Sequence, residues 1–233
     1  MSSLPEEFFR NGFCQFELKD SDNKKRMLDK VQQAKDSNFE SSDFEWKSKY
    51  QNSEDLRPSV FEYDKSFVDV LFDNDIPQKV YEASNYRKMH LSHIQMRRAF
   101  PANSYMDWHR DSYYRNGQNV GAIPPSLKLI YYPLFKEPEA CLHVLPGSHI
   151  RFFEHEETDV NINQQFGKFT INSSDDVITL FDVSIWHSAV NGNDPEGNVR
   201  IIYAYSNPNQ YFENWEKNPV NKSLNDYYEE KFN

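Results

Sequence analysis

The amino-acid sequence predicts an α+β chain whose second half is a β-sandwich or a β-barrel. Helical patterns are concentrated before residue 89, and short apolar or alternating runs separated by turn residues follow it. This order, helices first and then many short strands, is typical of α+β proteins. The 18 Phe, 14 Tyr and 4 Trp residues also favour a folded, β-rich chain over a disordered one.

The first 88 residues predict a mainly helical part with one strand. We predict helices over residues 4–10, 24–35, 66–72 and 77–86, and a strand over residues 12–18. The second helix follows Ser21, Asp22 and Asn23, whose side chains can cap its first turn. Residues 36–60 are polar with scattered aromatics. We predict a surface segment of low regularity there, which is either a lid or a loosely ordered insertion.

From residue 89 onward the pattern changes to strands. We predict strands over residues 91–100, 127–134, 141–145, 170–171, 177–181 and 199–205, and the end of another in the segment 105–112. The sequence has no internal repeat and no low-complexity tract. We therefore predict a single domain with a helical part (residues 1–88), a β-rich core (89–207) and a C-terminal tail (208–233).

The charge and the cysteine content limit the function classes. A formal net charge of −10 is a poor match for a nucleic-acid binder, which needs a basic face. Cys14 and Cys141 are too few and too far apart for a disulfide framework or a Cys-rich zinc site. The first residues lack the basic and apolar regions of a signal peptide, and no apolar run reaches the ~20 residues of a membrane span. We expect a soluble cytoplasmic protein.

A His-x-Asp motif lies where a strand is predicted to end. Alternate side chains of a strand point to the same face, so His109 and Asp111 would project together. Two His and one carboxylate with open opposite positions is the arrangement of non-haem Fe(II) oxygenases. With 36 acidic residues and seven His, about one such motif is expected by chance. A second match, His155 with Glu157, lies in an acidic segment and predicts a solvated loop.

His187 and Arg200 could complete a site with this motif. His187 follows the strand predicted at residues 177–181, and Arg200 lies in the next apolar strand. A guanidinium in such a strand needs an anionic partner, and it binds a carboxylate with two parallel hydrogen bonds. That partner is either a bound dicarboxylate beside a metal or a structural acid such as Asp176 or Asp182. The order of the four residues favours the bound dicarboxylate.

Several stretches of the chain together resemble one known family. They are WHRD at 108–111, VLPGSH at 144–149, DVITLF at 176–181, WH at 186–187, and Arg200. In order and spacing they resemble the phytanoyl-CoA dioxygenase family of Fe(II)/2-oxoglutarate-dependent oxygenases, over about residues 89–207. The Pro-Gly-Ser-His turn is the most family-specific stretch. Two loops depart from the family pattern: residues 137–140 are EPEA where Asn-Gly is usual, and Asp175 stands where Gly is usual.

The resemblance implies a fold, cofactors and roles for the site residues. The fold would be a double-stranded β-helix, a cupin-like jelly roll, with N-terminal flanking helices. His109, Asp111 and His187 would be the Fe(II) ligands, and Arg200 would bind the distal carboxylate of 2-oxoglutarate. With O2 as the second cosubstrate, the enzyme would hydroxylate an unactivated C–H bond and release succinate and CO2. A carboxylate at Asp111 leaves no position for a halide, so halogenation is not expected. His149 would make a structural hydrogen bond at its turn.

The remaining pocket candidates rest on weaker patterns. Lys128 or Tyr131 could help to hold 2-oxoglutarate, although strand alternation puts them on opposite faces. The candidate substrate contacts are Gln95, Arg97, Tyr105 and Trp108. Among these, Gln95 and Arg97 share a strand face, and Arg97 could bind a substrate carboxylate. The aromatic residues between 39 and 50 and those between 211 and 215 could close over the substrate.

Three function classes stay open on the sequence alone. The first is an oxygenase acting on a small-molecule metabolite, and the second is an oxygenase acting on a protein or a nucleobase. The acidic charge argues against the nucleobase. The third is a non-catalytic, cupin-like metal-binding module. The sequence names neither the substrate nor the oligomeric state.

Overall fold

The structure is a computed structural model of the 233-residue chain, and it describes residues 3–36, 45–50, 53–57, 60–101, 106–115, 118–121, 127–135, 141–150, 167–171, 174–190, 192–206 and 219–233. Within these ranges the helices are α1 (Leu4–Asn11), α2 (Asp22–Asp36), α3 (Ser66–Asp73), α4 (Ile76–Ala83) and α5 (Pro219–Phe232). The strands are β1 (Phe13–Glu17), β2 (Glu45–Tyr50), β3 (Ser53–Arg57), β4 (His90–Ala99), β5 (Met106–His109), β6 (Ser112–Arg115), β7 (Gln118–Gly121), β8 (Leu127–Tyr131), β9 (Leu142–Val144), β10 (Phe169–Ile171), β11 (Val177–Asp182), β12 (His187–Ala189) and β13 (Asn198–Ser206).

The larger sheet has seven antiparallel strands in the order β1-β11-β8-β13-β4-β3-β2. Its longest pairing joins β13 to β4, and it places Arg200 directly opposite Arg97. Because side chains alternate along a strand, β13 presents Ile201 and Tyr203 to one face and Arg200 and Ile202 to the other. This sheet therefore has an apolar face and a second face that carries buried cations.

Helices cover the apolar face of the larger sheet. One continuous core of buried side chains joins α1 to α5 with strands β1, β4, β8, β11 and β13. Its members include Met27, Val31, Phe67, Leu71, Ile94, Leu129, Ile201, Tyr203 and Leu224. Complete burial of one such aliphatic or aromatic side chain contributes about 1.5–3 kcal/mol. The helices therefore cover one face of the larger sheet, and the candidate site lies on its other face.

The smaller sheet has the order β10-β9-β12-β5 and packs against the opposite face of the larger sheet. A second apolar core lies between the two sheets. The larger sheet contributes Phe13, Ile130 and Phe181 to this core, and the smaller sheet contributes residues such as Leu142 and Val144. Strands β6 and β7 form a separate hairpin. The chain is thus a mainly antiparallel β-protein with flanking helices, which confirms the predicted α+β class.

Three parts of the described chain differ from the sequence prediction. The polar segment 36–60, predicted to be irregular, contains the hairpin β2–β3, which extends one edge of the larger sheet. Polar and charged residues are typical of edge strands, so composition hides such a hairpin. Strands β6 and β7 pair antiparallel, and the predicted tail contains α5, which contacts β4. Of the two proposed lid segments, 39–50 and 211–215, residues 45–50 form β2, and residues 39–44 and 211–215 lie outside the described residues.

Among the residues that the structure describes, no helix has the length and apolar character needed to cross a membrane.

Candidate metal centre

The pairing of β12 with β5 brings the two histidines together. His187 is directly opposite His109 in this antiparallel pair, and the ring centroids are 4.2 Å apart. Strand β12 also pairs with β9 on its other side, so His187 lies in the middle of the smaller sheet. The ring of Phe181, from the larger sheet, lies 5.2 Å from that of His187. His187 is therefore 5% exposed and held between the two sheets.

Asp111 joins the two histidines from the turn that follows β5. Its backbone N–H donates to the carbonyl of Val183 at 3.0 Å, which fixes the turn against the chain just after β11. Its Oδ1 lies 3.6 Å from Nε2 of His109, and its Oδ2 lies 3.6 Å from Nε2 of His187. All three ligand atoms lie within 4.8 Å of one another, so this group could hold a metal ion.

The hydrogen bonds of the two imidazoles turn their lone pairs toward the centre. Nδ1 of His109 lies 2.7 Å from the carbonyl of Asp107, and Nδ1 of His187 lies 2.9 Å from that of Ile185. A carbonyl can only accept, so each Nδ1 carries the proton and each Nε2 keeps a lone pair. Nε2 of His109 is buried and makes no hydrogen bond. Two lone pairs and one carboxylate fit a divalent transition metal.

The ionisation of the group also favours metal binding at neutral pH. Burial lowers the pKa of His187 to about 4, although the nearby Asp111 charge acts in the opposite direction. Burial by itself raises the pKa of Asp111, but the charge of Lys128 and the contacts with the two histidines outweigh it and hold that pKa well below its usual value. The site therefore presents a neutral imidazole and a carboxylate anion, as metal ligation requires.

Lys128 lies against the carboxylate of this group. Its Nζ donates to Oδ2 of Asp111 at 2.8 Å, and both side chains are about one-fifth exposed, at 22% and 20%. On β8, Lys128 is opposite Phe181 of β11 and Ala204 of β13, so it points into the space between the sheets. The sequence predicted Lys128 as a contact of 2-oxoglutarate, and in the structure Lys128 forms a direct ion pair with Asp111.

Arg200 faces the same space and is 1% exposed. Its guanidinium lies 5.4 Å from the ring centroid of Tyr132, a favourable cation–π distance. The two structural acids considered as partners have other contacts. Asp176 accepts from Lys24 at 2.7 Å, and Asp182 accepts from the backbone N–H of Ser184 at 2.8 Å. Arg200 is therefore buried between the two sheets, on the face of the larger sheet that also carries Lys128.

Gln95 and Arg97 lie on the site face of the larger sheet. Arg97 is 5% exposed and directly opposite Arg200, while Gln95 is opposite Ile202. On its other side, Arg97 is opposite Asp55 of β3. The structure brings these two candidates together with Arg200.

Three of the sequence candidates are not brought to this group by the described structure. Tyr131 faces the helices, and its hydroxyl donates to the carbonyl of Asp175 at 2.7 Å. The ring of Trp108 is stacked on His143 at 6.4 Å, because strand alternation turns it away from His109. Tyr105 lies outside the described residues, and so does the second motif at 155–157.

Two aromatic residues that were not predicted from the sequence lie beside the site: Tyr132 is next to Arg200, and Phe181 is next to His187. The signal was present in the alternation of β8, since Lys128, Ile130 and Tyr132 share one face. His149 has the structural role expected from its turn: its Nε2 donates to the carbonyl of Phe9 at 2.9 Å. This bond joins the turn to helix α1.

The chain is similar in fold to several solved structures. AviO1 from Streptomyces viridochromogenes Tue57 aligns with a TM-score of 0.61 and 17% identity, over 91% of this chain and 99% of that one. The epimerase SnoN from nogalamycin biosynthesis, in complex with Fe3+, alpha ketoglutarate and nogalamycin RO, aligns with a TM-score of 0.65 and 12% identity, over 88% of this chain and 82% of that one. HygX from Streptomyces hygroscopicus, with nickel, 2-oxoglutarate and hygromycin B, aligns with a TM-score of 0.62 and 12% identity, over 86% of this chain and 85% of that one.

These comparisons show the fold that this chain shares with non-haem, 2-oxoglutarate-dependent enzymes. The His-Asp-His group is consistent with the Fe(II) and 2-oxoglutarate predicted from the sequence. No family model matches the chain, and no curated protein matches its sequence. The resemblance to the phytanoyl-CoA dioxygenase family therefore stays a prediction.

Proposed function

We propose that this protein is an Fe(II)- and 2-oxoglutarate-dependent oxygenase that hydroxylates an unactivated C–H bond of a small-molecule metabolite. We further infer a double-stranded β-helix core of the phytanoyl-CoA dioxygenase type. The observation that carries the proposal is the convergence of His109, Asp111 and His187 within one space that also receives the buried Arg200. A plain cupin metal site has no need of that buried guanidinium.

His109, Asp111 and His187 would together bind the metal ion. His109 and His187 would each give Nε2 to Fe(II), while the backbone carbonyls of Asp107 and Ile185 hold the two rings in that orientation. Asp111 would add one negative charge and complete the facial set. A bound Fe(II) would supply the activation of O2 in concert with the keto acid.

Arg200 would bind the distal carboxylate of 2-oxoglutarate with two parallel charge-assisted hydrogen bonds. Its near-complete burial strengthens that interaction, because the local dielectric is lower than in water. Ile130, Ile202 and Phe181 line the apolar core beside it and exclude water from the space between the sheets. The protein would thus bind and orient 2-oxoglutarate and exclude water from the site.

The overall reaction balances without a further reductant. The substrate R–H, O2 and 2-oxoglutarate give R–OH, succinate and CO2, with one oxygen atom entering the alcohol and the other entering succinate. The keto acid is the two-electron reductant that the reaction requires. SnoN is described as an epimerase, so a product that keeps the substrate's mass is the outcome to compare with hydroxylation.

A small, polar, anionic metabolite is the substrate class that the site supports best. Arg97 and Gln95 face the site on β4, next to Arg200, and Arg97 would bind an anionic group of the substrate. The fold neighbours HygX and SnoN were solved with hygromycin B and nogalamycin RO, which supports a small molecule. The net charge of −10 disfavours a nucleic-acid substrate.

The assembly of the proposed complex is tested by adding Fe(II) and then 2-oxoglutarate without O2. The wild-type protein should develop the weak visible charge-transfer absorption of a chelated keto acid, and His109→Ala should not. Arg200→Ala should need roughly 10–100-fold more 2-oxoglutarate, the range for loss of a charged hydrogen-bonded pair. The exposed Arg87 is the matched control, and Arg87→Ala should behave as wild type. Absence of the band in the wild type would exclude the oxygenase function.

The reaction type is tested by turnover in air. Candidate metabolites are screened for stimulation of succinate formation, and the product is then analysed by mass. Hydroxylation predicts a product heavier by one oxygen atom, with that atom derived from O2. An unchanged mass with inverted stereochemistry would support epimerisation instead.

A further inference from the structure

The contact between Lys128 and Asp111 puts an ammonium group against one of the three candidate metal ligands. Nζ of Lys128 and the two histidine Nε2 atoms all surround the same carboxylate. The ammonium is bound to Oδ2 at 2.8 Å, and Oδ1 is the oxygen near His109. One carboxylate oxygen of Asp111 therefore has a strong hydrogen-bond donor in Lys128.

The position of Lys128 is determined by the fold. Strand β8 lies between β11 and β13 in the larger sheet, so its backbone is hydrogen-bonded on both sides. Leu127 and Leu129, its neighbours along the strand, are buried in the helix-side core and fix the direction in which Lys128 points. The side chain can therefore extend only into the space between the sheets, where its Nζ donates a hydrogen bond to Asp111.

We propose that Lys128 is a positioning residue that restricts Asp111 to binding the metal through one oxygen. This inference rests on the proposed function. A charge-assisted hydrogen bond is stronger than a neutral one, so Oδ2 stays with the ammonium. A carboxylate held in this way occupies one coordination position, and positions remain for the keto acid and O2. Partners of metal ligands commonly set ligand orientation in this manner.

The same contact has an electrostatic consequence with a definite sign. The ammonium repels a divalent cation and shares the charge of the carboxylate, so Lys128 weakens metal binding. Removal of the ammonium should strengthen metal binding and should allow Asp111 to bind through both oxygens. Binding through both oxygens takes a position that 2-oxoglutarate needs. The two affinities should therefore change in opposite directions.

The test measures both affinities on purified protein and needs no turnover. Mn(II) binding is followed by the paramagnetic resonance signal of the free ion, and 2-oxoglutarate binding to the Mn(II)-loaded protein is followed by calorimetry. Lys128→Met should bind Mn(II) roughly tenfold tighter and 2-oxoglutarate roughly tenfold weaker. Lys128→Arg, which keeps the charge and the donors, should stay near the wild type for both ligands. The exposed Lys88 provides the control variant Lys88→Met.

The outcomes separate this inference from the proposed function. If the wild type binds Mn(II) and 2-oxoglutarate but Lys128→Met weakens both or changes neither, the positioning role is wrong and the proposed function stands. If the wild type binds neither ligand, the proposed function itself fails. A merely structural lysine would lower the melting temperature and weaken both affinities together. Should Lys128→Met not fold, Lys128→Gln carries the test with the same expected directions.

Discussion

His187 and His109 lie directly opposite each other on β12 and β5, and each ring is oriented by the backbone carbonyl two residues before it. The donors to these carbonyls are the Nδ1 atoms, so both Nε2 atoms face the space that also holds the Asp111 carboxylate. The orientation needs no metal, because two local backbone contacts supply it. The pairing of β12 with β5, together with the turn that carries Asp111, thus brings together three side chains that could hold a divalent ion.

Metal ions should stabilise the wild-type fold through this site. An ion present at 100 times its dissociation constant adds about 2.7 kcal/mol to the free energy of unfolding. His187→Ala removes one ligand and should abolish this gain. The control is His143→Ala, because His143 is directly opposite Ser188, the strand neighbour of His187, and so lies on the other face of the smaller sheet. Thermal unfolding with and without Mn(II) measures the effect. Equal stabilisation of His187→Ala and the wild type would place the ion elsewhere.

Arg97 should govern the affinity for the substrate and not that for 2-oxoglutarate. Loss of a charge-assisted hydrogen bond costs about 1.5–3 kcal/mol, so Arg97→Gln should raise the KM of an anionic substrate by roughly tenfold or more. Arg98, on the opposite face of the same strand, donates to the carbonyl of Lys35 at 3.0 Å and provides the control Arg98→Gln. Steady-state kinetics with the metabolite that stimulates succinate formation gives the comparison. A larger effect on 2-oxoglutarate would assign Arg97 to the cosubstrate instead.

Substitutions of Tyr131 and Tyr132 should affect different properties, because these two side chains lie on opposite faces of the larger sheet. Tyr131→Phe loses the bond to Asp175 and should cost about 1 kcal/mol of stability with unchanged affinity for 2-oxoglutarate. Tyr132→Leu removes the ring beside Arg200 and should weaken 2-oxoglutarate binding several-fold. Chemical denaturation and calorimetry measure the two quantities. Weaker cosubstrate binding in Tyr131→Phe would contradict the orientation of β8.

Asp64 should give the fold a stability contribution that depends on pH. Burial by itself raises the pKa of this carboxyl, but the hydrogen bonds from Arg26 and Ser66 outweigh it, so the pKa falls below its ordinary 3.8. A group with a lowered folded-state pKa stabilises the fold above its unfolded pKa, and this stabilisation is lost as the pH falls through the folded value.

Asp64→Asn should therefore destabilise the protein by about 1–2 kcal/mol at pH 7, since charged hydrogen bonds are lost. The difference from the wild type should shrink as the pH is lowered from 5 to about 3. Denaturation curves across this range measure it, with the exposed Asp29 on α2 as the control in Asp29→Asn. A difference that stays constant with pH would show that packing, and not charge, is responsible.

Much of the fold could be predicted because the sequence pattern and the burial agree. The helix at α2 and the strands β4, β8, β11 and β13 have clear periodicity, and their apolar residues form the helix-side core. The hairpin β2–β3 and the helix α5 were missed for physical reasons. Strands β2 and β3 and helix α5 are all mostly polar in sequence, so none of them shows a clear apolar pattern. In these elements packing against the rest of the chain decides the structure, which local propensity does not record.

The three candidate metal ligands could be predicted from the sequence for a reason that does not apply to the pocket around them. His109, Asp111 and His187 carry chemistry that few other residues can replace, so residue type and order were sufficient to bring them together. The pocket depends on which face of a strand a side chain takes and on what lies across from it. Alternation separated Lys128 from Tyr131, but only the pairing of β5 and the turn after it placed Asp111 against Lys128.

We propose that one iron ion is bound by His109, Asp111 and His187, which come from two separate segments of the chain. Anomalous diffraction at the iron edge, from crystals grown without O2 in Fe(II) and 2-oxoglutarate, locates such an ion directly. We expect a single strong peak at about 2.0–2.3 Å from Nε2 of His109, Nε2 of His187 and one oxygen of Asp111. A peak bound by other residues, or none between these three side chains, would contradict it.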